Sequence, residues 1–217
     1  MSFERRDVEG EISLTADYLT RLFAGLAFAY DPDKYWVEIV KRSPDHSLKL
    51  PKNLSQTMLR IKDPEKSIPF YESLGLTVLL SKHFPQWNFS LYFLGCLDPS
   101  EHFPSDGTDE EKSNFVNSRH DPVLELTHNH GTEGDASFEY KNGNEAGGQG
   151  FGHVGFLVDD VDLAVDDLKR KGYIMKKEPG EGTMKGLAFA FDPDGYAVEI
   201  IKRGGYDDKG TPYYFEK

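Results

Sequence analysis

Residues 186–203 read GLAFAFDPDGYAVEIIKR, and the architecture follows from them. Two short apolar runs, Leu187 to Phe191 and Tyr196 to Ile201, flank the tetrapeptide Asp192-Pro193-Asp194-Gly195. Proline presets one φ angle and glycine permits a positive one, so the stretch predicts a β-hairpin. In its second strand Val198 and Ile200 alternate with Ala197, Glu199 and Ile201. A lone carboxylate among such neighbours is costly to bury unless something pairs with it. Residues 25–42, GLAFAYDPDKYWVEIVKR, repeat the text: at an offset of 161, 14 of 18 positions are identical, and Glu38 stands where Glu199 does. The chain therefore contains an internal duplication.

A second, more diverged repeat follows the first copy and takes in the other. Leu54 to Ile61 predicts a strand, and Asp63-Pro64 then opens a helix with Asp as N-cap and Pro at the first helical position. Gly75 stops that helix, and strands follow at Leu76 to Ser81, Asn88 to Gly95 and Pro122 to Asn129. The polar stretch from Leu97 to Asp121 is expected to be a loop that includes one helical turn. Phe151 to Val158 starts a unit of the same order. Its helix runs from Val161 to Lys171, capped by Asp160 and stopped by Gly172, with strands at Tyr173 to Lys177, Lys185 to Phe191 and Tyr196 to Lys202. Seven residues separate Gln56 from Asp63 and His153 from Asp160; nineteen separate Gln56 from Gly75 and His153 from Gly172. The expected class is α+β, built from two βαβββ modules at 54–129 and 151–202. Residues 43–53 and the glycine-rich 143–150 read as linkers, Leu14 to Phe23 as a short amphipathic helix, and 203–217 as a tail.

Composition narrows the function classes. A net charge of −12 disfavours non-specific nucleic-acid binding. The single cysteine, Cys96, cannot form an internal disulfide, which suits a reducing compartment. No apolar run reaches the ~20 residues of a membrane span, and MSFERRDVEGE has no apolar segment behind it, as a secretory signal would. A cytoplasmic enzyme or binding protein is the expectation.

Superposing the modules places Gln56 and His153 at equivalent points of the first strands, and Glu125 and Glu199 at equivalent points of the last strands. Each residue alone reads as the polar outer face of a half-exposed strand. Taken together, facing sheets would gather one imidazole nitrogen and three side-chain oxygens, a donor set that fits a divalent metal and explains the carboxylates. His128 alternates onto the face of Leu124 and Leu126 and reads as a packed histidine. The GGQG run is no phosphate loop, because no Lys-Ser/Thr follows it.

The strings SQTMLRIKDPEKSIPFY, FSLYFLG, LELTHNHGTE, NGN, GFGHVGF and KGLAFAFDPDGYAVEI resemble the glyoxalase I family, the lactoylglutathione lyases of the vicinal-oxygen-chelate superfamily. The resemblance covers about Leu54 to Lys202. It implies curved sheets of paired βαβββ modules facing one another around a metal, zinc or nickel, held by Gln56, Glu125, His153 and Glu199. The implied reaction isomerises the hemithioacetal of methylglyoxal and glutathione to S-lactoylglutathione through an enediolate stabilised by the metal. Glu199 is implied as the base that moves the proton, with Glu125 opposite it. Arg60 and Asn129 match residues that hold the glutamyl end of glutathione, and Gly182 and Met184 match the loop over the site. The chain departs from the family at Gln149 and Thr183, where relatives carry basic residues, and at His130, where tryptophan is common. The resemblance also implies a homodimer in which Gln56 and Glu125 of one chain share a metal with His153 and Glu199 of the other.

Within that superfamily, a metal-free binding module would lack the quartet, and an iron dioxygenase would use two histidines where Gln56 stands. A folded but inactive paralogue remains open. Residues 1–45, with the hairpin at 22–42, are expected to be the remnant of an upstream module.

Overall fold

The computed structural model describes residues 26–41, 52–144 and 150–204. The expected helix at 14–23, most of the 43–53 linker, residues 147–149 with Gln149, and the tail from 205 lie outside the described residues. The chain divides into two units, Met1–His46 and Ser47–Lys217.

In the first unit β1 (Leu26–Tyr30) and β2 (Trp36–Val40) form an antiparallel hairpin that pairs Phe28 with Glu38 and Tyr30 with Trp36. Its aromatic side chains cluster on one another, Phe28 and Tyr30 lying 5.3 and 6.1 Å from the Trp36 ring.

The second unit holds both modules. The first comprises β3 (Gln56–Ile61), α1 (Pro64–Ser73), β4 (Thr77–Phe84), β5 (Phe89–Gly95), α2 (Asp109–Ser118) and β6 (Val123–Asn129). The second comprises β7 (His153–Val158), α3 (Val161–Arg170), β8 (Met175–Lys177), β9 (Ala188–Phe191) and β10 (Ala197–Lys202). Their sheets run β3-β6-β5-β4 and β7-β10-β9-β8. In each, the first strand lies parallel to the last and the other pairings are antiparallel. A parallel neighbour needs a crossover, which the helix of each module supplies. Asp63 accepts from the Glu65 N–H and Asp160 from the Leu163 N–H, while Gly75 and Gly172 end the helices at φ of +94° and +88°.

The insert departs from expectation. Residues 109–118 form a ten-residue helix, because Thr108 and Glu111 make a reciprocal capping box. Arg119 behind it donates to Glu101 and to the Cys96 carbonyl, both at 2.6 Å, tying the insert to the end of β5.

One core serves both modules. Leu59, Ile61, Leu94 and Leu126 of the first sheet meet Phe70 and Tyr71 of α1, while Val165 and Leu168 of α3 meet Val198 and Ile200 of β10. Phe70 stands edge-on to Tyr173 at 4.8 Å, so the two helical layers pack into each other. With the helices on these faces, the opposite faces stay open, leaving Met58 at 44% and Leu157 at 55% exposure.

The 192–195 turn bolts the modules together. Asp192, 4% exposed, accepts from the Tyr71 hydroxyl at 2.7 Å and from the Asp194 and Tyr196 N–H groups. Asp194 accepts from the Lys62 N–H at 2.7 Å and the Ser67 hydroxyl at 2.8 Å. Burial, reinforced by the charge of Asp194, outweighs the donors and pushes the Asp192 pKa up from 3.8 to about 6. A raised folded-state pKa means that folding takes up a proton. The stability this group contributes is complete below about pH 4 and is lost as pH rises through about 6. Asp192→Asn keeps an oxygen for the two N–H donors and removes the ionisation. The melting temperature of the variant relative to the parent should therefore climb from pH 4.5 to 7.5; a difference that stays flat or falls would refute the assignment.

Candidate metal and substrate site

Alternation on β6 sends Leu124, Leu126 and His128 into the core and turns Glu125, Thr127 and Asn129 to the open face. Glu125 is flanked in register by Met58 on β3 and Phe93 on β5, and is only 7% exposed. Its carboxylate accepts from the Gln56 amide nitrogen at 2.5 Å and from the Thr127 hydroxyl at 3.3 Å.

The second module repeats the arrangement. Glu199 is flanked by Gly155 on β7 and Phe189 on β9. The His153 Nε2 lies 3.3 Å from a Glu199 oxygen, and the imidazole stands edge-on to Phe189 at 5.5 Å. Gly155 occupies the position of Met58; a Cβ there would meet the Glu199 carboxylate at 3.6 Å, an ordinary van der Waals contact. Sequence reasoning passed over Gly155, although it stands inside the GFGHVGF string.

The four expected ligands thus form two pairs, Gln56 with Glu125 and His153 with Glu199. Among the described residues, no three His, Cys, Asp or Glu side chains converge within one chain on a point that could hold a metal ion. The donor chemistry of the pairs fits a divalent cation: a buried carboxylate beside an amide, and a carboxylate beside an imidazole half open to solvent. Gln56 would bind through its amide oxygen, since its nitrogen donates to Glu125.

The expected substrate contacts divide the same way. Arg60 and Asn129 sit on adjacent strands at one end of the first sheet, Arg60 in register with Thr127. Asn129 donates through Nδ2 to the hydroxyl of Tyr140, which no motif had marked. Gly182, at φ +68°, and Met184, 41% exposed, lie in the loop between β8 and β9. That loop is braced by the Gly186 N–H on the Pro179 carbonyl and by Lys177 on the Leu187 carbonyl.

The family model described as the glyoxalase/bleomycin resistance protein/dioxygenase superfamily matches residues 53–200. Lactoylglutathione lyase of Pseudomonas putida is 44% identical over 149 residues, covering 68% of this chain and 83% of its own length. The chain belongs to the glyoxalase I family. Lactoylglutathione lyase of Schizosaccharomyces pombe is 40% identical over 183 residues, spanning 82% of this chain but 55% of the relative. Against the crystal structure of glyoxalase I from Zea mays the identity is 30% and the TM-score 0.59, over 82% of this chain and 53% of that one. The chain thus spans about half the length of the yeast and maize family members.

Two histidines of this glyoxalase I family member have structural roles. His128, 6% exposed, bonds Glu133 at 2.8 Å, as its alternation predicts. Glu133 is held below its ordinary carboxyl range by its own backbone N–H, by His128 and by the Gly131 N–H. His130, at the position where tryptophan is common, lies 2.7 Å from the Ser90 hydroxyl, whose other neighbour is His83 at 2.9 Å. A hydroxyl has one proton, so one of the two imidazoles must donate to Ser90. Ser90 is 2% exposed but both histidines are exposed residues, so water can reach the ring nitrogens and Ser90→Ala should cost only about 0.5–1.5 kcal/mol, the net worth of an ordinary hydrogen bond. Urea unfolding measures this; a change below about 0.5 kcal/mol would show that water replaces the hydroxyl.

Proposed function

We propose that the chain isomerises the hemithioacetal of methylglyoxal and glutathione to S-lactoylglutathione. The observation that carries the reading is the matched pairing of Gln56 with Glu125 and His153 with Glu199 in two repeated modules of a glyoxalase I family member. The names of the relatives as lactoylglutathione lyases agree with it. Gln56, Glu125, His153 and Glu199 would hold zinc, and the same donor set suits nickel. Such a metal supplies Lewis-acid stabilisation of charge developing on the two vicinal oxygens of the substrate.

The chain's own residues do the rest. Glu199 removes the proton from the carbon next to the carbonyl and returns it to the neighbouring carbon. Glu125 sits on the opposite side of the reacting atoms. Arg60 and Asn129 bind the glutamyl end of the thiol, and the loop with Gly182 and Met184 covers it. The single Cys96, exposed and without a disulfide partner, suits a reducing compartment such as the cytoplasm.

The complete site is shared between two copies of the chain. The support is that the two pairs do not converge within one chain, while exposed Met58 and Leu157 stand on the faces that carry them. A second copy would cover these apolar groups and bring a Gln56/Glu125 pair to a His153/Glu199 pair. Mixing Glu125→Gln chains with His153→Ala chains should recover activity, since one hybrid site is intact. No recovery in a mixture shown to exchange subunits would exclude shared sites. The rival reading, an inactive paralogue, draws on Thr183, where a basic residue is expected. Metal uptake without appearance of the thioester absorbance would favour it.

Glu199→Gln keeps the shape of the side chain and removes the proton acceptor, so kcat should fall at least about a hundredfold with a much smaller change in KM. His153→Ala should instead lose metal and regain part of its rate in excess zinc or nickel. Glu38→Gln, in the same local sequence on the hairpin, should change kcat less than about twofold; a loss equal to that of Glu199→Gln would put the hairpin in the active site.

A further inference from the structure

We propose that His83 and His130 form a second metal site, which takes a divalent transition ion, copper most tightly, on the face of the first sheet opposite Glu125. Two nitrogens and one oxygen already converge there. His83 Nδ1 lies 2.9 Å and His130 Nε2 2.7 Å from Ser90 Oγ, so the nitrogens stand at most 5.6 Å apart, the sum of those distances. Two metal–imidazole bonds of about 2.0–2.1 Å span up to about 4.2 Å. Both histidines are exposed, and turning their rings closes the remaining gap of ~1.4 Å at most.

The strands put these groups in place. His83 on β4, Ser90 on β5 and His128 on β6 stand opposite one another in a single row. Three residues along β5, Phe93 pairs with Glu125, and an odd spacing turns side chains to the other face of the sheet. The imidazole pair is therefore separate from the four ligands proposed above. His130 follows β6; its N–H donates to the Asn88 carbonyl at 2.8 Å, and Gly131, at φ +97°, turns the chain directly after it. The His83 ring stands edge-on to Tyr92 at 5.9 Å. The His130 ring lies 5.5 Å from that of His128, which Glu133 holds.

Imidazole suits copper, nickel and zinc, and the affinity order of divalent ions puts copper first. In the metal-free chain the one hydroxyl proton of Ser90 serves one ring, and the other ring donates its N–H. A metal needs a lone pair on both nitrogens. The donating ring gives that proton to water and takes one up at its other nitrogen, so both rings stay neutral and no net proton is released. Ser90 keeps its proton and offers a lone pair, and water completes the coordination of an ion between exposed rings. Among the described residues no third His, Cys, Asp or Glu joins the pair. Two imidazoles suit an ion that exchanges with solution, whereas a structural zinc takes four ligands. The Glu133 carboxylate behind His128 and the net charge of −12 favour a cation here. Because His130 stands where tryptophan is common, the pair is a feature of this chain and not of the family pattern.

The test adds copper(II) to the full chain in the presence of equimolar zinc, with binding followed by calorimetry and the ligands by electron paramagnetic resonance. The parent should bind a copper ion whose signal is split by two nitrogens, whereas the His153/Glu199 pair can supply only one. His83→Ala should weaken that copper at least about tenfold and leave a single nitrogen, because it removes one arm of a chelate. His130→Trp, which installs the residue common in the family, should do the same. Joining the two substitutions should weaken binding by much less than the product of the single effects, since either one already breaks the chelate. His153→Ala should keep the two-nitrogen signal, a readout that depends on neither altered ring. A parent signal with no more than one nitrogen, a two-nitrogen signal that persists in folded His83→Ala or His130→Trp, or its loss in His153→Ala would each overturn the proposal.

Discussion

Two carboxylates of one turn, Asp192 buried and Asp194 half-buried, hold the second unit together. Asp192 and Asp194 belong to the second module, yet their donors include Lys62, Ser67 and Tyr71 of the first. Burial raises the pKa of both, so each carboxylate is held at a cost that its donors only partly offset. Removing a partner would strand a desolvated acid, which makes the joint intolerant of rearrangement. The turn is gripped from its other side by Asn142 and Asn144. β9 and β10 leave this anchored turn, and β10 carries Glu199 to its place beside β7. The geometry of the His153/Glu199 pair thus depends on a turn that contains neither residue.

Much of this was legible in the chain because the signals were local. Asp63-Pro64 and Asp160 start their helices, Gly75 and Gly172 stop them, and the β6 alternation separates Glu125 from His128 as found. The repeat pointed to the four expected ligands because duplication places equivalent residues on equivalent strands. What escaped was of two kinds. The helix at Asp109–Ser118 had a readable capping box, Thr108 with Glu111, but weak apolar patterning drew attention away from it. Tyr140 and Gly155 carried no such mark, since the residues they touch lie far away in sequence: Asn129 beside one, Glu199 beside the other. The pairing of the candidate residues two by two came from the family resemblance alone, because a strand pattern gives the face of a residue and not what that face meets.

The two copies of the hairpin separate local from tertiary causes. Both have the same register: Phe28 opposes Glu38 as Phe189 opposes Glu199. Both close the turn alike, with the aspartate oxygen accepting an N–H four residues on, from Tyr35 or Tyr196, at 2.8 Å. The fourth turn residue is left-handed in each, Lys34 at φ +73° and Gly195 at +82°. A lysine there accepts a strain of roughly 1–2 kcal/mol. Gly195 has a further reason to lack a side chain, since a Cβ would stand 2.6 Å from the amide nitrogen of Asn142. One glycine answers the backbone, and the same glycine admits the segment that grips the turn.

The consequence for the carboxylates is that local sequence specifies their strand and face but not their chemistry. Glu199 gains its surroundings because β7 lies parallel to β10, bringing His153 to its oxygen and Gly155 to its flank. Glu38 has the same neighbours in sequence and the same phenylalanine across the hairpin, but among the described residues β1 and β2 form a sheet of two strands. No first strand with an imidazole is paired beside it there. Under the proposed reading, what such an acid can do is set by the strand hydrogen-bonded next to it: the same hairpin text gives the same register in both copies, and among the described residues β7 lies beside the second.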